Sequence, residues 1–218
     1  MRAVVVADGD PAPSDARIAE DAELLIAADG GAGWLEEIGR RPDILVGDLD
    51  SVDPAVVRRL AAAGTEVIRH PAEKDASDSE LALGVALERG ADEVVMLGAL
   101  GGGRLDHELA NLLLLADPEL PRRDLRIVRA GTTVRVLAGR ASLELGCGPG
   151  SVVTLLPVGG NAQGVATRGL RYPLDGETLR VGRSRGLSNE VVEAPASVWL
   201  GAGTLLVIEI ASNDGGEQ

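Results

Sequence analysis

A change of pattern near residue 128 constrains the fold of this chain more than any other feature. Before it, short continuous apolar runs alternate with helical stretches, and after it only brief β-type runs broken by glycine follow. Continuous apolar strands with helices between them are typical of a parallel sheet covered by helices on both faces. We therefore predict an α/β domain over residues 1–128 and an antiparallel β-sandwich or barrel over 129–218.

The predicted strands are short. In the first part of the chain, sequence signals for the start of a helix lie between consecutive predicted strands. Asp53 before Pro54 is a typical helix start, Gly64 ends that helix, and Ser77 opens a capping box completed by Glu80. The predicted strands are 3–7, 24–28, 44–46, 66–68, 93–97 and 125–128, then 134–137, 141–145, 152–156, 164–167 and 204–210.

Charge and composition exclude several classes of partner. The net charge of −13 lies entirely in the first part, which has 13 basic and 26 acidic residues against 8 and 8 in the second. Because the chain is acidic and has only two Trp, one Tyr and no Phe, we expect no nucleic-acid partner. The apolar runs are too short to cross a bilayer, and Cys147 has no second cysteine to pair with, so we expect no membrane association and a cytoplasmic location.

The loops after the predicted parallel strands are rich in Asp and Gly. Ligands of open parallel sheets bind beyond the carboxyl ends of the strands, so these loops are where a site is expected. The four loops that stand out span 29–31, 47–51, 74–78 and 98–107.

Asp48 and Asp50 are the first candidate metal ligands. In an extended segment, residues two apart point to the same side, so their carboxylates would repel each other without a cation. Mg²⁺ typically takes one or two carboxylates together with phosphate oxygens. The structural alternative is a polar turn that leads to the Asp53 cap.

The loop before the Ser77 helix adds further charged groups. Asp75 and Asp78 lie near the predicted helix start, where ordinary capping also supplies acids. Lys74, the only lysine of the chain, stands beside them and could contact a phosphate.

The glycine-rich stretch 98–103 leaves a strand and enters a helix, as phosphate-binding loops do. It matches neither the dinucleotide-binding glycine pattern nor the P-loop. Arg104 supplies a forked donor for phosphate, and Asp106 is either a further acid of the site or a helix cap, while His107 is expected to be a helix-surface or hydrogen-bonding residue. An acidic pocket can hold a polyphosphate if metal ions bridge the like charges, so Mg²⁺ with a nucleotide is the natural ligand.

These segments, together with two later ones, resemble the motifs of the thiamine pyrophosphokinase family. Two small departures are Ser77, where the family often has Thr, and Gly103, which lengthens the glycine run by one. The resembling stretches are 28–32, 42–43, 47–51, 74–78, 102–107, 110–111, 169–174 and 186–190.

The resemblance implies a Rossmann-like catalytic domain (1–128) that binds ATP and Mg²⁺, and a β-sandwich thiamine-binding domain (129–218). It further implies a homodimer with active sites between subunits, and transfer of the pyrophosphoryl group of ATP to the hydroxyethyl oxygen of thiamine. Carried over by position, the residues that would hold Mg²⁺ and phosphates are Asp48, Asp50, Asp75 and Asp78. Those that would contact the nucleotide are Lys74, Ser77, Gly102, Gly103, Arg104 and Asp106, and those near thiamine are Asp29, Ser188 and Asn189.

Three other functions fit parts of the sequence. A phosphohydrolase of the haloacid-dehalogenase type also places Asp-x-Asp after a strand, although usually after the first strand. A diphosphokinase for another hydroxyalkyl heterocycle, such as a pterin, would use the same phosphate-binding groups, and a nucleotide sensor would bind without reacting. Neither the general base nor the aromatic that would stack on thiamine is identifiable, although Trp34 and Trp199 are candidates for the latter.

Overall fold

A computed structural model of the chain describes residues 1–73, 75–120 and 124–212. The chain divides into two compact units. The first unit comprises Met1–Leu114 and Glu119–Ala130, and the second comprises Leu115–Pro118 and the described residues from Gly131 onward. None of the helices in the described part of the chain has the length and apolar character needed to cross a lipid bilayer.

The first unit contains a parallel sheet, as predicted. Its neighbouring strands pair in parallel in the order β6-β5-β1-β2-β3-β4. The central strands are fully buried because they are continuously apolar. The strands are β1 (Arg2–Val6), β2 (Leu24–Ala28), β3 (Ile44–Gly47), β4 (Glu66–Arg69), β5 (Glu93–Leu97) and β6 (Asp124–Arg129).

Helices connect these strands, and the predicted helix caps at Asp53 and Ser77 are confirmed. Asp53 caps the third helix by accepting a 2.7 Å hydrogen bond from the Ala55 backbone N–H, and Ser77 caps the fourth by accepting one from Glu80 N–H at 3.2 Å. A short 3₁₀ turn, Pro13–Asp15, precedes the first helix. The helices are α1 (Ala16–Glu20), α2 (Gly31–Glu37), α3 (Pro54–Ala62), α4 (Asp78–Glu88) and α5 (Leu105–Leu114).

The strand order contains one reversal. The chain adds β2, β3 and β4 on one side of β1, and then returns to place β5 on the other side. The loops that follow β1 and β5 therefore leave the sheet in opposite directions at adjacent positions. Such a switch point is where open parallel sheets bind their ligands.

The second unit is an antiparallel β-sandwich, which confirms the sandwich prediction. Its strands pair in the orders β12-β9-β14-β7 and β11-β10-β13-β8, and apolar residues from both sheets form one core. Sequence reasoning missed three of these strands, because they have only two to four residues and owe their form to their pairing. The strands are β7 (Thr132–Ala138), β8 (Ala141–Glu144), β9 (Val152–Pro157), β10 (Ala162–Arg168), β11 (Glu177–Leu179), β12 (Asn189–Glu190), β13 (Ser197–Leu200) and β14 (Thr204–Ile210).

Candidate active site

A cleft of about 390 Å³ opens at the carboxyl ends of β1, β2, β3 and β5 in the first unit. It lies at the strand-order reversal, where a ligand site is expected from topology. The polar and glycine residues that line it include Asp8, Gly9, Asp29, Asp50, Ser51, Ser77, Asp78, Gly98, Gly101, Gly102, Arg104, His107, Glu108 and Asn111.

Three carboxylates meet at this edge of the sheet. Asp29 follows β2, and Asp48 and Asp50 follow β3. One oxygen of each lies within 4.8 Å of one oxygen of the other two. We call these residues the acid trio.

A tight turn, and not an extended segment, brings Asp48 and Asp50 together. Leu49 between them has a φ of 64°, so the expected period-two geometry is wrong. The Asp50 backbone N–H donates a 3.1 Å hydrogen bond to Asp48 Oδ1, and Ser51 Oγ donates one of 3.1 Å to Asp50 Oδ1. The buried Leu49 side chain anchors this turn in the core.

Asp29 is the buried member of the acid trio. Its side chain is only 6% exposed, and Oδ1 is buried without a hydrogen-bond partner among the described residues. Burial raises the pKa of Asp29, the nearby Ser51 hydroxyl opposes this shift, and the charges of Asp78, Asp48 and Asp8 raise the pKa further. A cation beside Asp29 would favour its ionised form.

The acid trio fits a hard divalent cation. Oxygen atoms are the ligands that Mg²⁺ prefers, and Asp29 Oδ1, which accepts no hydrogen bond from the residues that the structure describes, is a buried acceptor that such an ion would satisfy. Sequence reasoning assigned Asp29 to thiamine, whereas the geometry groups it with Asp48 and Asp50.

The first turn of α4 brings Asp78 close to this trio. A Cβ built on Gly47 would lie 3.0 Å from Asp78 Oδ1 and 3.3 Å from Asp29 Cβ, so only glycine allows this approach. Ser77 lines the cleft as well, although its oxygen already caps α4. Asp75 is exposed and not among the described residues that line the cleft, and Lys74 lies outside the described residues.

The glycine-rich stretch forms the side of the cleft beyond β5. Gly101, Gly102 and Gly103 have φ values of 81°, 83° and 78°, which side chains rarely allow. Gly101 and Gly102 line the cleft, and Gly103 is not among the described lining residues. The buried Asn111 side chain donates a 2.8 Å hydrogen bond to the Ala99 carbonyl and so ties the stretch to α5.

Arg104 lines the cleft while bound to Asp106. Its Nε and Nη2 donate to the two carboxylate oxygens of Asp106 at 2.9 and 2.7 Å. This forked pair holds the pKa of Asp106 well below its usual range. Asp106 is not among the described lining residues, and its contact with the nucleotide stays a prediction.

Sequence reasoning missed two groups of the cleft. Asp8 and Gly9 follow β1 and carry the same Asp-Gly signature as the other loops, which could have identified them. His107, expected on the helix surface, lines the cleft. Burial and the Asp78 charge raise the pKa of Asp8, and the neighbouring His107 opposes that shift.

Ser188 and Asn189 belong to the second unit, where Ser188 lies in a bend and Asn189 begins β12. Asn189 Oδ1 accepts hydrogen bonds from the Tyr172 and Glu190 backbone N–H groups at 3.0 and 2.9 Å, and Nδ2 donates to the Tyr172 carbonyl at 2.7 Å. The Ser188 N–H donates to Thr154 Oγ1 at 3.0 Å. The contact of these residues with thiamine stays a prediction.

The two tryptophans differ in their surroundings. Trp34 packs against the core of the first unit, as expected of a structural residue. Trp199 lies on β13 of the second unit with 42% of its surface exposed. Trp199 is therefore the better placed of the two to stack on a ligand ring.

Both units match one protein family. The family description "Thiamin pyrophosphokinase, catalytic domain" matches residues 16–128, more than half of the chain. The description "Thiamin pyrophosphokinase, vitamin B1 binding domain" matches residues 142–205.

Individual relatives agree with this match. The thiamine pyrophosphokinase of Bacillus subtilis is 27% identical over 186 residues, which cover 85% of this chain and 86% of the relative. Its crystal structure has a TM-score of 0.84 and 26% identity, covering 97% of this chain and 100% of that one. The Geobacillus thermodenitrificans enzyme has a TM-score of 0.80 and 30% identity, with coverage of 98% and 99%. With a shared fold and both family domains in their expected order, the chain belongs to the thiamine pyrophosphokinase family.

Proposed function

We propose that this enzyme transfers the pyrophosphoryl group of ATP to the hydroxyethyl oxygen of thiamine, giving thiamine diphosphate and AMP. The observation that carries the site assignment is the acid trio at the switch point of the sheet, with a buried Asp29 oxygen that has no hydrogen-bond partner in the described part of the chain. The family match supports the reaction class.

Asp29, Asp48 and Asp50 would hold Mg²⁺, with Asp78 beside them. A bound Mg²⁺ neutralises phosphate oxygens, which lets an acidic cleft accept a polyphosphate. Burial holds Asp29 in place before the ligand arrives, and the tight turn at Leu49 does the same for Asp48 and Asp50. Asp75, which sequence reasoning also assigned to the metal, is exposed and less well placed.

The glycine-rich stretch and Arg104 would bind the phosphates. Glycines with positive φ leave backbone N–H groups accessible to an anion, and Gly101 and Gly102 line the cleft. Arg104, oriented by Asp106, offers its remaining guanidinium N–H groups. Lys74, Ser77 and Gly103 remain predicted nucleotide contacts.

The reaction depends mainly on how the enzyme positions its two substrates. The hydroxyl oxygen of thiamine forms a bond to the β-phosphorus, and the bond from that phosphorus to the oxygen bridging it to the α-phosphorus breaks. AMP leaves with the bridging oxygen, and the hydroxyl proton passes to a base. Alignment of the nucleophile and neutralised phosphate charge supply most of the catalysis in such transfers.

We further propose a cytoplasmic homodimer whose active sites include the thiamine-binding unit of the partner. An apolar stripe on α5 supports an interface between copies, since Leu105, Leu109 and Leu113 are 67%, 51% and 57% exposed. The same helix carries His107 and Asn111 into the cleft, so a copy seated on the stripe would stand beside the site. The free Cys147 thiol fits a reducing compartment.

Incubation with ATP, thiamine and Mg²⁺ tests the proposed function. We expect AMP and thiamine diphosphate in equal amounts, with neither formed in excess chelator or without thiamine. Phosphate release without thiamine would indicate a hydrolase, transfer to a hydroxymethylpterin but not to thiamine would indicate a different acceptor, and ATP binding without turnover would indicate a sensor. Each of these results would overturn the proposal.

A further inference from the structure

Two loops meet at the switch point and are bonded to each other. We call residues 8–10 and 98–102 the switch loops. The Gly9 N–H donates a 2.8 Å hydrogen bond to the Gly98 carbonyl, and the Asp10 N–H donates one of 3.2 Å to the Leu100 carbonyl. A Cβ built on Gly102 would lie 3.0 Å from Gly9 Cα. The position of one loop therefore sets the position of the other.

Arg129, at the end of β6, holds these loops from outside the cleft. Its Nε donates a 2.8 Å hydrogen bond to the Asp10 carbonyl, and its Nη2 forms an ion pair with the Asp10 carboxylate. Gly101 lies directly against both residues, because a Cβ built there would be 2.7 Å from Asp10 Cβ and 3.1 Å from Arg129 Nε. One guanidinium thus contacts both switch loops.

A neighbouring carboxylate strengthens the same connection. Asp15 is 2% exposed and accepts hydrogen bonds from the backbone N–H groups of Ala12 and Ala130 at 2.9 and 3.1 Å. The segment after β1 is therefore tied twice to the end of β6. Sequence separation is 119 residues for the Asp10 contact, so this tie exists only in the folded chain.

The energetics favour a positioning role over a stabilising one. The Arg129 and Asp10 side chains are 36% and 61% exposed, and ion pairs with that much solvent access contribute little to stability. Neither residue is among the described residues that line the cleft, whereas the loops they hold supply Asp8, Gly9, Gly101 and Gly102 to it.

We propose that the Arg129–Asp10 pair positions the switch loops so that the backbone N–H groups at Gly101 and Gly102 face the polyphosphate of the nucleotide. The inference rests on the proposed function for its ligand, and on the contacts of Arg129 for its mechanism. Arg129 and Asp10 act through the loops and not on the reacting atoms.

Kinetics of Arg129→Met, Asp10→Ala and the double variant test this proposal. We expect kcat/KM for ATP to fall on the order of 10-fold in Arg129→Met, because a small misplacement of binding groups is costly. The thiamine KM should stay unchanged, Arg129→Lys should recover part of the loss, and the double variant should lose no more than Arg129→Met alone. Additive losses, or equal effects on both substrates, would overturn the proposal.

Arg126 provides a matched control on the same strand. It pairs with Asp124 at 2.8 Å and with Glu93, at the opposite edge of the sheet from the cleft. Arg126→Met removes the same charge, so we expect its ATP kinetics to match the wild type. An equal loss in both arginine variants would mean that net charge, and not loop position, sets the affinity.

Hydrogen exchange separates this proposal from the proposed function. Amides of residues 98–103 should exchange faster in Arg129→Met than in the wild type, and their exchange rates should be unchanged in Arg126→Met. This expectation does not depend on which reaction the enzyme performs. Unchanged exchange in Arg129→Met would overturn the positioning role even if the ATP kinetics changed. A wild type without thiamine-dependent AMP release would instead overturn the proposed function. If Arg129→Met folds poorly, Asp10→Asn takes its place in both measurements.

Discussion

At the scale of single residues, the acid trio depends on backbone conformations that most residues avoid. Asp29 and Leu49 have φ values of 45° and 64°. Such conformations cost on the order of 1–3 kcal/mol each, so the surroundings must hold them. The Asp29 N–H donates a 2.8 Å hydrogen bond to the Val46 carbonyl, and the Leu49 side chain is buried. The backbone hydrogen bond of Asp29 and the burial of Leu49 therefore offset the cost of these two unfavourable backbone conformations.

Replacing Asp48 or Asp50 by Asn tests the trio directly. We expect each variant to lower turnover by at least about 100-fold, the scale of lost charge stabilisation in a transition state. Thermal stability should stay the same or rise, because the change removes carboxylate repulsion and no core contact. Asp53→Asn is the control, since Asn also caps helices and Asp53 does not belong to the acid trio. Near-normal turnover in both trio variants would contradict the metal assignment.

Cys147 makes a separate prediction about pH. Burial, followed by the nearby Glu209 charge, raises the pKa of this thiol to about 11. The reactive thiolate is therefore scarce at pH 8. We expect alkylation by iodoacetamide, followed by mass spectrometry, to be much slower in the folded protein than in urea, and to accelerate as the pH approaches 11. Equal rates in both conditions at pH 8 would contradict this environment.

At the scale of elements, the start of α4 contains one residue that caps the helix and another that lies near the candidate site. Ser77 supplies the cap, whereas Asp78 in the first turn reaches the acid trio. Sequence reasoning could not divide these roles, because both residue types favour helix starts. The close approach of Asp78 to Gly47 and Asp29 is a tertiary contact.

Paired variants of α4 make this division measurable. Ser77→Ala should lower the free energy of unfolding by about 0.5–2 kcal/mol, and Ser77→Asn should recover that loss because Asn is a good cap. Asp78→Asn should instead lower turnover with melting nearly unchanged. Denaturant unfolding and turnover are measured on all three. An active but destabilised Asp78→Asn would indicate that Asp78 is only a first-turn acid.

Asn189, at the start of β12, gives the matching test in the second unit. Its amide makes three hydrogen bonds to the backbone of Tyr172 and Glu190. Asn189→Ala should therefore destabilise the protein by about 1–3 kcal/mol, the cost of unpaired buried groups. If the segment also binds thiamine, as the family motif predicts, the thiamine KM should rise more than the ATP KM. An unchanged free energy of unfolding would contradict the structural role.

At the scale of the whole molecule, charge and apolar surface are unevenly distributed. The first part of the chain carries the entire net charge of −13. The α5 stripe of Leu105, Leu109 and Leu113 is nevertheless exposed on this acidic part. Apolar side chains repeated along one helix face are typical of an interface.

Leu109→Asp tests the proposed homodimer. The proposed dimer would bury this apolar stripe, so a charge in its middle should shift the protein toward monomer in sedimentation equilibrium. Turnover should fall as well if the site needs both copies. Ala61→Asp on α3 is the control, because it adds the same charge at an exposed helical position. A dimer that survives Leu109→Asp unchanged would place the interface elsewhere.

Much of the fold follows from local pattern. Continuous apolar runs such as 93–97 predict buried parallel strands, and the caps at Asp53 and Ser77 predict helix starts, because these signals act over a few residues. The short strands β11, β12 and β13 are not predicted from local pattern, because two to four residues give a weak signal. Of these, β12 and β13 are each paired with a strand distant in the sequence.

The sequence by itself determined the two-part architecture, the acidic loops at the carboxyl ends of the strands and the family motifs within them. Only the tertiary structure decided which acids converge. The strand order places β1 beside β5, which brings Asp8 and Gly9 into the cleft, and the turn at Leu49 groups Asp29 with Asp48 and Asp50. The tie between Arg129 and Asp10 likewise joins residues far apart in the chain. Local patterns encode where strands and helices form, whereas long-range packing sets which of their ends become neighbours.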